Sequence, residues 1–97
     1  MTAKKELVLP RLVGSREQAR LLVLELGDLA GQVVVLNGRE LRAASASSAD
    51  EFVKIIVLEG GAAALEVLSG TPDFIRDITS SADDRAVTSR VAVATTI

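Results

Sequence analysis

Residues 32–52 read Gln32-Val-Val-Val-Leu-Asn-Gly-Arg-Glu-Leu-Arg-Ala-Ala-Ser-Ala-Ser-Ser-Ala-Asp-Glu-Phe52, and this stretch decides the fold. From Gln32 to Leu36 the run is continuously apolar and β-branched, which predicts a central strand covered on both faces. Asn37-Gly38 is a turn signal, since both residues tolerate positive φ. Beyond the loop, Ala49, Phe52, Val53 and Ile56 trace one face of a helix, with Asp50, Glu51 and Lys54 on the other. That helix is expected to end at Gly60-Gly61. Strand, loop and amphipathic helix in this order form the repeating unit of an α/β layer.

The flanking segments repeat the unit. Upstream, Leu7 to Leu9 is a short apolar run ended by Pro10, and Leu12-Val13 follows before Gly14; together they predict a first strand or an edge hairpin. Ser15 and Gln18 have capping-box spacing. Ala19, Leu22, Val23 and Leu26 recur at helical intervals opposite Arg16, Glu17 and Arg20, so a helix is expected over 16–26 with Gly27 as its left-handed terminator. Downstream, Ala62 to Leu68 has both helical and strand character, and its position between Gly61 and Gly70 favours a strand over 64–68. Thr71-Pro72-Asp73 starts a third helix, with Pro at its first position, and Phe74, Ile75 and Ile78 form its buried stripe. The segment 80–85 closes that helix, and Val91 and Val93 favour a final strand. The expectation is a single α/β domain over 1–97: a mixed sheet of about four to five strands with about three to four helices packed on it.

The composition excludes several functions. The 97 residues are 48% hydrophobic, and Phe52 and Phe74 are the aromatics, so the core must be aliphatic. The chain has no His, Cys, Trp or Tyr, which removes the commonest nucleophiles, metal ligands and stacking platforms. A net charge of −2 with scattered charges gives no basic stripe, so nucleic-acid binding is not expected. No apolar run nears the roughly 20 residues that span a bilayer, and the Met-Thr-Ala-Lys-Lys start lacks a signal-peptide core. A cytoplasmic protein without membrane attachment is the expectation. There is no Walker or GxGxxG sequence, so no cofactor is expected. Asp73 and Asp77, four apart on a helix and followed by Asp83-Asp84, suggest a solvated face rather than a metal site. No base oriented by a third group is suggested by spacing, so the chain is not expected to be an enzyme.

What remains is the segment 37–51. Ser48 and Glu51 have the Ser-x-x-Glu spacing of a capping box, and Ser47 with Asp50 offers the same arrangement one residue earlier. One serine suffices for the cap, which leaves the other for recognition or modification. A phosphate on Ser47 would lie near exposed amides at the positive end of a helix, with Asp50 and Glu51 placing acidic groups beside it. Arg39 and Arg42 flank Glu40 and could hold a phosphate or a partner carboxylate, or be solvated loop charges.

The strand ending in Leu36-Asn37, the loop to Leu41 and Ser45-Ala-Ser-Ser48 at a helix start resemble the STAS-like domains related to bacterial anti-sigma factor antagonists. The resemblance covers about 32–83. In its register Asn37 takes the strand-end Asp/Asn place, Ser45 that of the motif Asp, Ala46 the first Ser, Ser47 the phosphoacceptor and Ser48 the Gly. The resemblance implies a regulatory module that meets an anti-sigma-type kinase through Asn37, Arg39, Arg42, Ser45, Asp50 and Glu51, with Ser47 or Ser48 as phosphoacceptor. The alternative is a homodimer or larger self-assembly, formed by pairing of Val91 to Ala94 across an exposed sheet edge.

Overall fold

A computed structural model describes residues 4–94. The elements run β1 (Lys4–Val8), β2 (Leu12–Val13), α1 (Arg16–Leu24), β3 (Val33–Asn37), β4 (Ala43–Ala44), α2 (Ala46–Val53), β5 (Ala64–Leu68), α3 (Pro72–Asp84) and β6 (Val91–Ala94). α2 continues without a break into a π-helical stretch over Lys54–Glu59. The chain is a single α/β domain. Its main sheet has the order β1-β3-β5-β6, and all three ladders are parallel. A mixed sheet was the expectation; the parallel one arises because a helix returns the chain between each pair of neighbouring strands, which is how parallel strands are connected. Leu12-Val13 does not fold back on β1 as a hairpin. It pairs in parallel with β4 in a two-stranded ladder, after Pro10, which has no amide proton to give, ends the first strand.

Side-chain alternation sorts the sheet into two unlike faces. Leu7, Val34, Leu36, Leu65 and Val67 are buried in the core with Ala19, Val23, Phe52, Ile56, Phe74 and Ile78 from the helices. Phe52 and Phe74 meet edge to face, centroids 6.2 Å apart, which locks α2 against α3. On the opposite face Val8 and Ala92 are exposed and Val33, Val35, Ala64, Glu66 and Leu68 half-buried. No element covers that face among the described residues. The expectation that residues 32–36 are covered on both sides is therefore corrected. Val33 and Val35 satisfy their β-preference on a half-exposed surface, and the Lys4–Glu66 ion pair at 3.5 Å spans β3, since Lys4 registers with Val33 and Glu66 with Val35.

The helix ends follow local chemistry. Ser15 caps α1 by accepting from the Gln18 amide, and the Gln18 side chain accepts from the Gly14 amide. α1 stops at Leu24, two residues before the expected end, and the chain turns at Gly27 with φ +73°. Lys5 Nζ donates to the Leu26 and Asp28 carbonyls there, at 2.6 and 2.8 Å. Thr71 caps α3 through the Phe74 amide, with Pro72 at the first turn as expected. The π-helical stretch ends at Gly60, whose amide donates to the Ile55 carbonyl at 2.9 Å. A Cβ there would sit 2.7 Å from that oxygen, so only glycine fits.

Candidate functional site

In parallel sheets the loops that follow the strands gather at one end, and binding surfaces form there. Three such connections meet here: residues 9–11 after β1, 38–42 after β3 and 69–71 after β5. The first two are tied together by backbone. The Arg11 carbonyl accepts from the amides of Arg42 and Ala43 at 2.8 and 3.1 Å, and the Asn37 carbonyl accepts from the Leu9 amide at 2.9 Å. Asn37 is itself buried; its Nδ2 donates to Glu6 at 2.7 Å and its Oδ1 accepts from the Arg39 amide at 3.0 Å. Asn37 thus holds the loop rather than presenting a side chain. Gly38 does not adopt positive φ, contrary to the turn expectation. Its smallness serves close approach, because a Cβ would lie 2.9 Å from Gly70 Cα and 3.0 Å from the Ser69 carbonyl. Leu41, buried, anchors the loop from below.

These contacts shape a cleft of about 610 Å³ lined by Arg11, Arg39, Glu40, Leu41, Arg42 and Thr71. Arg39 and Glu40 approach at 3.8 Å with both side chains more than half exposed. Arg11 and Arg42 are exposed and make no side-chain hydrogen bond or ion pair among the described residues.

Beside the cleft, the cap of α2 is Ser45, three residues before Ser48 and two before Ser47, the two expected caps. Ser45 sits in extended conformation and its hydroxyl accepts from the Ser48 amide at 3.1 Å. Neither Ser47 nor Ser48 is the cap. The short β4 delivers the chain straight to Ser45, and Ala46 is a good helix former, so helix geometry sets in before the amphipathic pattern starts. Ser48 is fully buried, and its hydroxyl shares its proton between the Ser45 and Val13 carbonyls at 2.7 and 3.1 Å. As a phosphoacceptor it is inaccessible in the folded chain. Ser47 is half-exposed on the first turn, with its hydroxyl 3.1 Å from Ser45 Oγ.

Asp50 and Glu51, expected to face a partner, are engaged within the fold. Asp50 accepts from Arg85 Nε and Nη2 at 2.8 Å each, from Ser81 Oγ at 2.7 Å and from Arg16 at 2.8 Å. The Arg85 guanidinium, aided by Ser81 and Arg16 against partial burial, holds the Asp50 carboxyl far below the usual carboxylate range. Glu51 is 1% exposed and pairs with Arg16 at 2.9 Å and Arg20 at 3.2 Å. Glu51, with Asp50 in turn, raises the Arg16 pKa. These bonds fasten all three helices together. The acidity that would have surrounded a phosphate on Ser47 is thereby neutralised by arginines of α1 and of the end of α3.

Spacing did not reveal Arg11, Thr71 or the arginine partners of Asp50 and Glu51. Arg11 meets Arg42 because β1 and β3 are neighbours, and strand order is not written in local sequence. Asp73 and Asp77 both face Arg76, at 3.3 and 3.8 Å. Among the described residues no set of three acidic side chains is grouped to hold a metal ion, and no helix is long and apolar enough to cross a membrane. Compared with protein-family models, curated proteins and solved structures, the chain matches none.

Proposed function

We propose that this chain is a small, non-catalytic, cytoplasmic regulatory module that binds a protein partner through the end of the sheet built from residues 37–51. The partner type follows the segment's resemblance to anti-sigma factor antagonists: an anti-sigma-type kinase, with Ser47 as the residue whose phosphorylation modulates docking. The observation that carries this reading is the division of labour within the segment. Asn37, Ser45, Ser48, Asp50 and Glu51 are spent on holding the loop and helix in place. Arg39, Glu40, Arg42 and Ser47 are left to meet a partner on that rigid base, the arrangement that favours precise recognition. A pull-down from the source organism's lysate, with the wild-type chain and Ser47→Asp in parallel and mass spectrometry as readout, tests it. A kinase-like ATPase captured by wild type and lost with Ser47→Asp supports the reading, and capture unaffected by the substitution contradicts it.

A second reading, self-association, is favoured by β6. Its outer edge has no strand partner among the described residues, and Ala92, Val93 and Ala94 are exposed, a template for pairing with a second copy. A sedimentation mass that rises with concentration and falls back in Val93→Lys supports this alternative.

A further inference from the structure

We propose that the arginine cleft between the β1–β2 and β3–β4 connections is a binding site for a phosphoryl dianion. Its lining holds three guanidinium groups, from Arg11, Arg39 and Arg42, against one carboxylate, Glu40. The chain as a whole carries net charge −2, so this concentration of cations runs against the background. It also differs in kind from the other arginines. Arg16, Arg20, Arg76 and Arg85 each have an acidic partner, and Arg90 donates to the Val57 and Ala62 carbonyls. Arg11 and Arg42 have neither an acid nor a carbonyl among the described residues. Two guanidinium groups without an acidic partner therefore line one cleft, and an anion held there supplies the counter-charge that the fold does not.

The geometry suits a phosphoryl group in three respects. The bonds from Arg42 and Ala43 to the Arg11 carbonyl fix the two arginine-bearing loops to each other, so binding has to order the side chains but not the backbone that carries them. The guanidinium plane offers paired donors that match phosphate oxygens in a way a lysine cannot. The third wall is Thr71, cap of the 13-residue α3, whose positive end adds to the field. At about 610 Å³ the cleft falls in the range of roughly 300 to 1,000 Å³ of small-ligand sites, with space for the phosphoryl group and part of what carries it. Glu40, more than half exposed beside Arg39, swings to solvent as the anion arrives.

The inference takes the surface of the preceding reading and adds the chemistry recognised there. Its test contains no protein partner, so its failure leaves that reading standing. Amide NMR spectra of the full chain are recorded during titration with inorganic phosphate near neutral pH, with chloride at matched ionic strength as reference. Saturable shifts are expected at Arg11, at residues 39–43 and at Gly70 and Thr71, with phosphate alone. Arg11→Ala with Arg42→Ala should weaken binding about tenfold or more, as loss of charge-assisted hydrogen bonds requires, while Arg76→Ala leaves it unchanged. The spectrum itself reports whether the double variant is folded; Arg42→Lys, which keeps the charge and loses the fork, gives an intermediate loss. A phosphoserine peptide and glycerol phosphate then separate the sources. Tighter binding of the peptide, absent from its unphosphorylated twin, assigns the group to a modified chain, and equal binding of the small ester assigns it to a metabolite. The proposal is overturned if shifts do not saturate, if they spread over Lys54 and Arg76, or if the double variant binds phosphate as wild type does.

Discussion

A negative charge at Ser47 and one at Ser48 should have opposite consequences, although the residues are adjacent. Ser48→Asp replaces a fully buried hydroxyl that donates to the Ser45 and Val13 carbonyls. The hydrogen bond lost is worth about 0.5–1.5 kcal/mol. The Val13 carbonyl is not orphaned, because the Ser45 amide also donates to it at 3.0 Å. The larger cost is a carboxylate set against two carbonyl oxygens without a cation, several kcal/mol for a buried ion. Together these come to about 4–5 kcal/mol, a large part of the roughly 5–15 kcal/mol that holds a domain folded. With a urea slope of about 1.5–2 kcal/mol/M, within the range for small domains, the midpoint should fall by about 2–3 M. Ser47→Asp instead places its charge on the first helical turn, where the helix dipole favours it by about 0.3–1 kcal/mol, and loses only the contact with Ser45. Its midpoint should stay within about 0.5 M of wild type. The chain has no Trp or Tyr, so far-UV circular dichroism during urea unfolding is the suitable assay. Burial raises the introduced carboxyl's pKa, so the Ser48→Asp deficit should also shrink as pH is lowered and protonation removes the charge. Equal midpoints for the two variants would refute the assignment of Ser48 to the interior and Ser47 to the surface.

Four further outcomes are expected. Ser45→Ala should cost about 0.5–2 kcal/mol in urea unfolding, as loss of a helix cap does, and an unchanged midpoint would return the cap to a later serine. Gly38→Ala should be destabilising by about 1–3 kcal/mol, because its Cβ meets backbone rather than a movable side chain, and calorimetry would show it. The Asp50 carboxyl is depressed in the folded state, so its contribution is complete above the ordinary Asp value of about 3.9 and is lost as pH falls toward the folded value. Asp50→Asn should therefore flatten the acid side of the stability profile, and parallel profiles for variant and wild type would contradict that. Glu51→Leu should lie much closer to wild type than removal of a buried pair's cationic half does, since Arg16 and Arg20 are exposed enough to be resolvated; a collapsed fold in Glu51→Leu would overturn this.

Much of the architecture was legible because its signals are local. Gly61 and Gly70 bracket Leu65 to Leu68 closely enough to place β5 at its observed limits. Thr71-Pro72 starts α3, and Gly27 turns the chain after α1. The limits of local reading appear where partners are distant in sequence. The valine run of β3 reads alike whether one face or both are covered, and strand order decides that only one is. Ser45, Ser47 and Ser48 all have capping chemistry; the β4 ladder, which depends on β2 more than 30 residues earlier, selects Ser45. Asp50 and Glu51 look like free surface acids until α1 and α3 bring Arg16, Arg20 and Arg85 to them. For the candidate site, Arg39, Arg42 and Ser47 were visible in the sequence as loop and helix-start residues. Arg11 was not, because its role depends on β1 lying beside β3.

The claim that the sheet end is the working surface is tested most directly by photo-crosslinking from single positions in source-organism lysate. Probes at Arg39, Glu40 and Ser47 should form adducts with a distinct protein, while probes at Leu58 and Val93 do not. Adducts confined to Val93, with the mass of a second copy of this chain, would contradict the account and identify the β6 edge as the functional surface.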